Sequence, residues 1–355
     1  MNKKLLVVLT LLLSVTAVAC GSSDITHADS SNLSVEEMQE LIDELQEENE
    51  RLEKEIAELK GNEEQQLETS GPETWADDYI IAFTDEDFFS RVQEITGKSS
   101  DITYGDVKNI KEFSTTWDYY DFSTLDSFKY FTSLEKLTVS TTATNLEGLQ
   151  NLTNLTYLSV SGDNLTDISA IANLTNLTYL DINSDSDDNG SLTDISALKN
   201  LTNLTYLSIS DDFTDISALT NLTNLIELHI HGKFTDIGAL KNMTNLTYLD
   251  ISGYFEDINA LRNMTNLMYL KVDSNNGLTD ISGVANLTNL TELTIKGGDD
   301  LTDISAIANL TNLTYIKIKG GEGIFTDDAN YAIDFDKFGN LEYLKINDEK
   351  VDLDE

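Results

Sequence analysis

Few side chains in this 355-residue chain are suited to catalysis or metal binding, because it contains three histidines and one cysteine. His229 and His231 lie two residues apart in a predicted strand and share one face, with Glu227 beside them and Asp250 one repeating unit further on. Zinc accepts imidazoles and carboxylates, but histidines on a strand face are more often surface residues. No nucleophile–base pair or phosphate-binding loop is present, so we expect no enzyme activity.

A second candidate metal site is an acidic tract that matches the beginning of a calcium-binding loop. Residues 185–190 read D-x-D-x-N-G, with Asp185, Asp187 and Asn189 as potential oxygen ligands. The twelfth position of such a loop is normally Glu, whereas here it is Ser196. A solvated loop fits the tract better than a calcium site, and we predict no cofactor.

The elements that carry these side chains are repeats, each opening with LTNL or MTNL. A period of about 20–29 residues built on L-x-x-L-x-L is the leucine-rich-repeat signature. Each block supplies one short strand with alternate side chains pointing inward, and stacked blocks share one core. The pattern predicts an α/β fold, a right-handed leucine-rich-repeat solenoid with a parallel β-sheet on its concave face. The blocks begin at Leu152, Leu174, Leu201, Leu222, Met243, Met264, Leu287 and Leu310.

The same register explains the recurring Asn-Leu-Thr triplets, which resemble glycosylation sites. In NLTNL the leucines fill the core, while Asn and Thr can hydrogen-bond the backbone in the turns. We therefore reject the glycosylation interpretation.

Outward-facing strand positions form columns, since neighbouring parallel strands lie about 4.8 Å apart. Tyrosine provides rigid, amphipathic contact area, so a tyrosine column predicts a ligand-binding face. The alternative is that duplication copied a good strand former without any ligand. The column contains Tyr157, Tyr179, Tyr206, Tyr248, Tyr269, Tyr315 and Tyr343.

The next two columns become basic toward the C-terminus, with Lys271, Lys296, Lys317, Lys319 and Lys345. Such a patch can receive an acidic glycan or an acidic protein. The alternative is that these lysines only pair with nearby aspartates of the same face. We include Lys271, Lys296 and Lys317, with the two strand histidines, among the predicted binding residues.

The N-terminus reads as a secretion signal. Two lysines precede an apolar run with small residues at its end, which predicts a signal peptide over residues 1–19. The segment TAVACGSS resembles the bacterial lipobox, which implies that Cys20 is lipidated and that residues 20–33 form a tether. We therefore expect an extracytoplasmic protein, lipid-anchored to the outer face of the bacterial cell membrane.

A coiled-coil stalk is predicted over residues 34–60, because apolar residues hold all but one of the a and d positions of four heptads. Asn49 at an a position favours a parallel homodimer in register, although a monomeric acidic spacer helix is equally consistent with the pattern. An acidic linker is predicted over residues 61–78.

The repeat LTNLTYLSVSGDNLTDISAIAN is similar to those of internalin-type leucine-rich-repeat proteins of bacterial surfaces. The resemblance covers residues 131–346. By this resemblance, residues 79–130 form a helical N-terminal cap, 131–340 the repeats, and 341–355 a C-terminal cap strand and tail. That family usually carries an asparagine ladder just past each strand. The ladder is largely absent here, which implies looser turns.

The resemblance also implies a function, that of an adhesin whose concave face binds a protein on another cell or in the envelope, and a Gram-positive host. Two alternatives remain open: a glycan- or envelope-binding module, and a structural spacer without a ligand. The formal net charge of −41 argues against nucleic acid as a partner, because so acidic a surface repels it.

Overall fold

A computed structural model describes residues 75–115, 121–183, 192–275, 277–321, 333, 335–347 and 349–350, within a compact unit that begins at Trp75. The predicted signal peptide, Cys20, the stalk and the acidic tract with Asp185, Asp187 and Asn189 lie outside the described residues. Trp75 belongs to the predicted linker, yet its ring lies 4.8 Å from that of Tyr130.

In the part of the chain that the structure describes, twelve strands form one sheet in chain order, and β1 to β11 are all parallel while β12 runs antiparallel to β11. The predicted solenoid with a parallel sheet is therefore confirmed. The strands are β1 (Glu112–Ser114), β2 (Lys136–Ser140), β3 (Tyr157–Ser161), β4 (Tyr179–Asn183), β5 (Tyr206–Ser210), β6 (Glu227–His231), β7 (Tyr248–Ser252), β8 (Tyr269–Asp273), β9 (Glu292–Gly298), β10 (Tyr315–Gly320), β11 (Tyr343–Ile346) and β12 (Glu349–Lys350).

Within the described residues, two helices precede the sheet, α1 (Glu86–Thr96) and α2 (Tyr104–Val107). Helix α1 begins where the Asp85 carboxylate accepts a hydrogen bond from the Phe88 amide at 2.8 Å. It buries Phe88, whose ring lies 5.5 Å from that of Phe113 in β1. Strand β1 pairs with β2, so the sheet starts one strand earlier than the repeats indicate. The role of this region as a family-type cap stays a prediction.

Short 3-10 helices form the return side of the solenoid, and the TDIS motif explains where they begin. In the seven helices from Ser169 to Asn309, an aspartate carboxylate accepts a hydrogen bond from the amide two residues on, as from Ser217 to Asp215 at 2.7 Å. The helices are Asp126–Tyr130, Ser169–Ile171, Ser196–Asn200, Ser217–Asn221, Gly238–Leu240, Asn259–Asn263, Ser282–Val284, Ser305–Asn309 and Phe335–Lys337.

The second asparagine of each NLTN or NMTN motif forms one rung of a ladder of hydrogen bonds between successive blocks. Its Nδ2 donates to the carbonyl of a threonine one block earlier, at 2.7–3.0 Å. Threonine hydroxyls add parallel bonds, as from Thr178 to the Thr156 carbonyl at 3.0 Å. The prediction that these residues bond the backbone is confirmed. The rungs are Asn154, Asn176, Asn203, Asn224, Asn245, Asn266, Asn289 and Asn312.

Past the strands, three phenylalanines take the place of the missing asparagine ladder. Phe213, Phe234 and Phe255 are buried, with ring centroids 6.1 and 6.2 Å apart and planes within 9° of parallel. At Gly253 an added Cβ would lie 2.8 Å from the Phe234 ring, so the backbone packs directly on it. The Tyr254 amide also donates to the Phe234 carbonyl at 2.8 Å. In these blocks the aromatic rings fill the turns, and the expectation of looser turns stays a prediction.

Candidate functional site

All seven predicted tyrosines stand in one column on the sheet. The register pairs Tyr157 with Tyr179, Tyr179 with Tyr206, Tyr248 with Tyr269, and Tyr315 with Tyr343. Two glutamates of the same column, Glu227 and Glu292, interrupt this series. The column is therefore divided into runs of three, two and two tyrosines.

Within each run the tyrosine rings stack face to face rather than standing free in water. Neighbouring centroids lie 4.1, 4.2, 4.1 and 4.5 Å apart, with planes within 9° of parallel. All seven side chains are half-buried, although they occupy outward-facing strand positions. Because neighbouring rings cover each other's faces, a ligand above the sheet meets mainly ring edges and hydroxyl groups.

The stacking also affects the hydroxyl groups. Burial, followed by hydrogen bonds with Tyr206 and Tyr157, raises the pKa of the Tyr179 hydroxyl. Burial and then the hydrogen bond with Tyr269 raise the pKa of Tyr248. Both hydroxyls thus remain protonated around neutral pH and are engaged in hydrogen bonds within the column.

At the first interruption, a histidine fills the space above the glutamate. The His229 ring lies 5.7 Å from Tyr206 and 4.7 Å from Tyr248, centroid to centroid. Its Nε2 is 2.8 Å from Glu227 Oε1. The imidazole thus bridges the first and second runs of tyrosines.

The second histidine has a different partner. His231 Nε2 lies 3.1 Å from Asp250 Oδ1, and Lys271 Nζ donates to Asp250 Oδ2 at 2.9 Å. Burial would raise the pKa of Asp250, but the hydrogen bonds from His231 and Lys271 outweigh it and hold that pKa below its usual range. The two imidazoles therefore contact different carboxylates rather than a common point. Within the part of the chain that the structure describes, no cluster of His, Cys, Asp and Glu forms a metal site.

The five lysines line one depression of about 250 Å³, together with Asp273 and Thr294. Lys296 donates to Asp273 at 2.7 Å, just as Lys271 donates to Asp250. For these two lysines the alternative of pairing within the face is therefore confirmed. Among the described residues Lys317 forms no ion pair.

Two apolar residues beside the column were missed by sequence reasoning. Ile226 and Met268 are 47% and 51% exposed, directly before Glu227 and Tyr269. Six other blocks have threonine there. Its hydroxyl donates to a backbone carbonyl one block earlier, as from Thr247 to Ile226 at 3.2 Å. The available signal was this loss of a repeated threonine, since nothing in the core requires an exposed isoleucine or methionine.

No helix among the described residues has the length and apolar character needed to cross a membrane.

The stacked repeats and their single parallel sheet define a leucine-rich-repeat protein, and a family model described as Leucine Rich repeats (2 copies) matches residues 223–263. Internalin C2 of Listeria monocytogenes is 32% identical, with 61% of this chain and 97% of that one covered and a TM-score of 0.56. The chain belongs to the internalin-like family of leucine-rich-repeat proteins.

Two other solved structures are similar. The internalin inlF of Listeria monocytogenes is 26% identical, covering 75% of this chain and 95% of that one, with a TM-score of 0.42. A leucine-rich-repeat protein of Leptospira interrogans is 18% identical, covering 61% and 62%, with a TM-score of 0.49. No curated protein sequence matches the chain.

Proposed function

We propose that this chain is an adhesin-like bacterial surface protein that binds a protein partner on the concave face of its solenoid. The observation that carries the proposal is the tyrosine column, an ordered array of ring edges and hydroxyl donors beside exposed Ile226 and Met268. Tyrosine is enriched at protein interfaces because it offers contact area and a hydrogen bond with little loss of entropy.

The stacking favours a protein over a glycan as the partner. A sugar packs against an aromatic residue through the ring face. Tyr179 has a ring on both faces, 4.1 and 4.2 Å away, and only the rings at the ends of the runs keep an uncovered face. Ring edges and hydroxyls suit the mixed polar and apolar surface of a protein.

The proposed location of the protein rests on its N-terminal sequence. We propose that Cys20 is lipidated and anchors the protein on the outer face of the cell membrane, where residues 34–60 serve as a stalk. A partner on another cell or in the envelope is then accessible to the solenoid.

The test compares the full chain with the triple variant Tyr179→Ala/Tyr206→Ala/Tyr248→Ala for retention on cultured epithelial cells and isolated bacterial walls. Central aromatic residues of an interface are each worth roughly 2 kcal/mol or more, so we expect at least a hundredfold loss of retention. The matched control is Tyr254→Ala, which removes a 50% exposed tyrosine outside the column and should leave retention unchanged.

Retention should also disappear when the cells are treated with protease, and survive treatment with glycosidases. Retention that the folded triple variant keeps would contradict binding at the concave face. Retention that resists protease but not glycosidase would favour the glycan alternative.

A further inference from the structure

The two interruptions of the tyrosine column are not equivalent. At Glu227 the gap between Tyr206 and Tyr248 is filled by His229, two residues further along β6. At Glu292 the corresponding residue two positions on is Thr294, which is too short to cover the gap. The second gap is therefore a slot with Tyr269 on one side and Tyr315 on the other.

The dimensions of the slot follow from the strand register. Tyr269 and Tyr315 each pair with Glu292 from opposite sides, so two strand spacings of about 4.8 Å place the rings about 10 Å apart. Tyr269 stacks on Tyr248 and Tyr315 stacks on Tyr343, so each has one covered face and one face toward the slot. A planar group at the centre would lie about 5 Å from each ring, within the range of about 6 Å for cation–π attraction.

The residue between the two tyrosines in the column is a glutamate. Glu292 is exposed, and within the described residues it forms no ion pair. Two aromatic faces above a carboxylate attract a planar cation, and guanidinium matches all three, since it stacks on rings and donates two parallel hydrogen bonds to carboxylate. The first gap contains the same arrangement built from the chain itself, with the His229 ring between two tyrosines and its Nε2 2.8 Å from Glu227.

We propose that the slot formed by Tyr269, Glu292 and Tyr315 binds the guanidinium group of an arginine on the protein partner. This inference rests on the proposed function, because it names the side chain that the partner inserts. Lys317 lies two residues beyond Tyr315 on β10 and belongs to the basic depression. A carboxylate next to the arginine on the partner would pair with it, so the slot selects an arginine with an acidic neighbour.

The experiment titrates the full chain with N-acetyl-arginine amide, N-acetyl-lysine amide and the neutral isostere N-acetyl-citrulline amide, followed by saturation-transfer NMR. We expect the arginine probe to bind with a Kd on the order of 10 mM, as two cation–π contacts and one ion pair predict. The citrulline probe should bind at least roughly tenfold more weakly, because it lacks the charge. The lysine probe should also bind more weakly, since an ammonium group cannot form the paired bonds.

Two variants locate the binding. Thr294→His should place an imidazole over Glu292, as His229 lies over Glu227, and abolish arginine binding. Thr138→His adds the same side chain to the same column on β2, far from the slot, and should leave binding unchanged. Equal binding of arginine and citrulline, or arginine binding that Thr294→His leaves intact, would overturn the proposal, because general attraction of cations to an acidic chain gives those results.

The partner itself supplies the last comparison. Thr294→His should reduce retention on cells at least roughly tenfold, since it blocks an anchoring side chain. If cells retain Thr294→His as well as wild type but release the triple tyrosine variant, the arginine proposal is wrong while the proposed function stands. If neither variant changes retention, the proposed function is wrong, and the probe titration then reports on the slot alone.

Discussion

The stack of Phe213, Phe234 and Phe255, the phenylalanine ladder, leads to a strong prediction about stability. Phe234 is fully buried, with the rings of Phe213 and Phe255 at 6.1 and 6.2 Å on either side. Phe234→Ala leaves a ring-sized cavity that neither neighbour can fill, because each ring is held in its own turn. Such a truncation costs about 3–5 kcal/mol.

For a domain of this size, 1 kcal/mol corresponds to roughly 2–3 °C in Tm. A loss of about 4 kcal/mol therefore lowers Tm by about 8–12 °C, measured by circular dichroism or scanning calorimetry on the full chain. Stability in a solenoid is nearly a sum over repeats and their interfaces, so the damage should be local to these blocks. Hydrogen exchange should consequently quicken around β5 to β7 more than around β2.

Two further variants isolate the cause. Phe234→Leu places there the residue that longer blocks use at their turn, such as Leu165, and should cost about 1–2 kcal/mol. Tyr254→Ala changes a half-exposed aromatic nearby and should remain within about 0.5 kcal/mol of wild type. A Tm of Phe234→Ala within 2 °C of the wild-type value would correspond to a loss of stability of about 1 kcal/mol or less. Such a result would refute the view that these rings hold the turns together.

Three other predictions concern the asparagine ladder, the charged face and the stalk. Asn245→Ala breaks the 2.9 Å bond to the Thr223 carbonyl and should cost about 1 kcal/mol by denaturant unfolding, whereas Asn242→Ala in the same motif should cost little; equal effects would contradict the ladder. Asp250→Asn should cost about 1–2 kcal/mol at pH 7, less than for a fully buried pair because its partners are 42% and 39% exposed. The pKa of Asp250 is lowered on folding, so the stability that this carboxylate contributes is present above about pH 4 and is lost as pH falls through the lower folded value. The Tm of the variant should therefore fall less steeply than that of wild type as the pH is lowered into the acid range. An unchanged acid dependence of Tm would contradict the role of this carboxylate. If residues 34–60 form a parallel coiled coil, light scattering should give twice the chain mass and deletion of this segment should restore the monomer; a monomeric full chain would exclude the dimer.

Much of the fold could be predicted from the repeats because leucine spacing determines both strand position and register. Once Leu155 and Leu158 point inward, Tyr157 must point to the concave face, and every block repeats the rule. Strand β1 was missed because the segment Glu-Phe-Ser carries no leucine pattern. It joins the sheet through pairing of Phe113 with Leu137, a contact that no periodicity describes.

The site was only partly predictable, for physical reasons. A column assigns tyrosines to one line, but their burial depends on side-chain torsions that place Tyr157 and Tyr179 4.1 Å apart. The phenylalanine ladder was hidden because the shorter blocks place residues such as Phe234 one position closer to the strand than the corresponding leucine of a longer block, such as Leu165. The bridging role of His229 depends on where its ring leans, which residue spacing does not specify.

The most direct test of a protein-binding concave face is photo-crosslinking from the tyrosine column. The full chain carries p-benzoylphenylalanine in place of Tyr248, is bound to cultured epithelial cells and is irradiated. A second sample carries it in place of Tyr254, which is 50% exposed outside the column. We predict a discrete, protease-sensitive adduct from position 248 and none from position 254. Adducts from position 254 alone, or none from position 248 on cells that retain the protein, would contradict partner binding at the concave face.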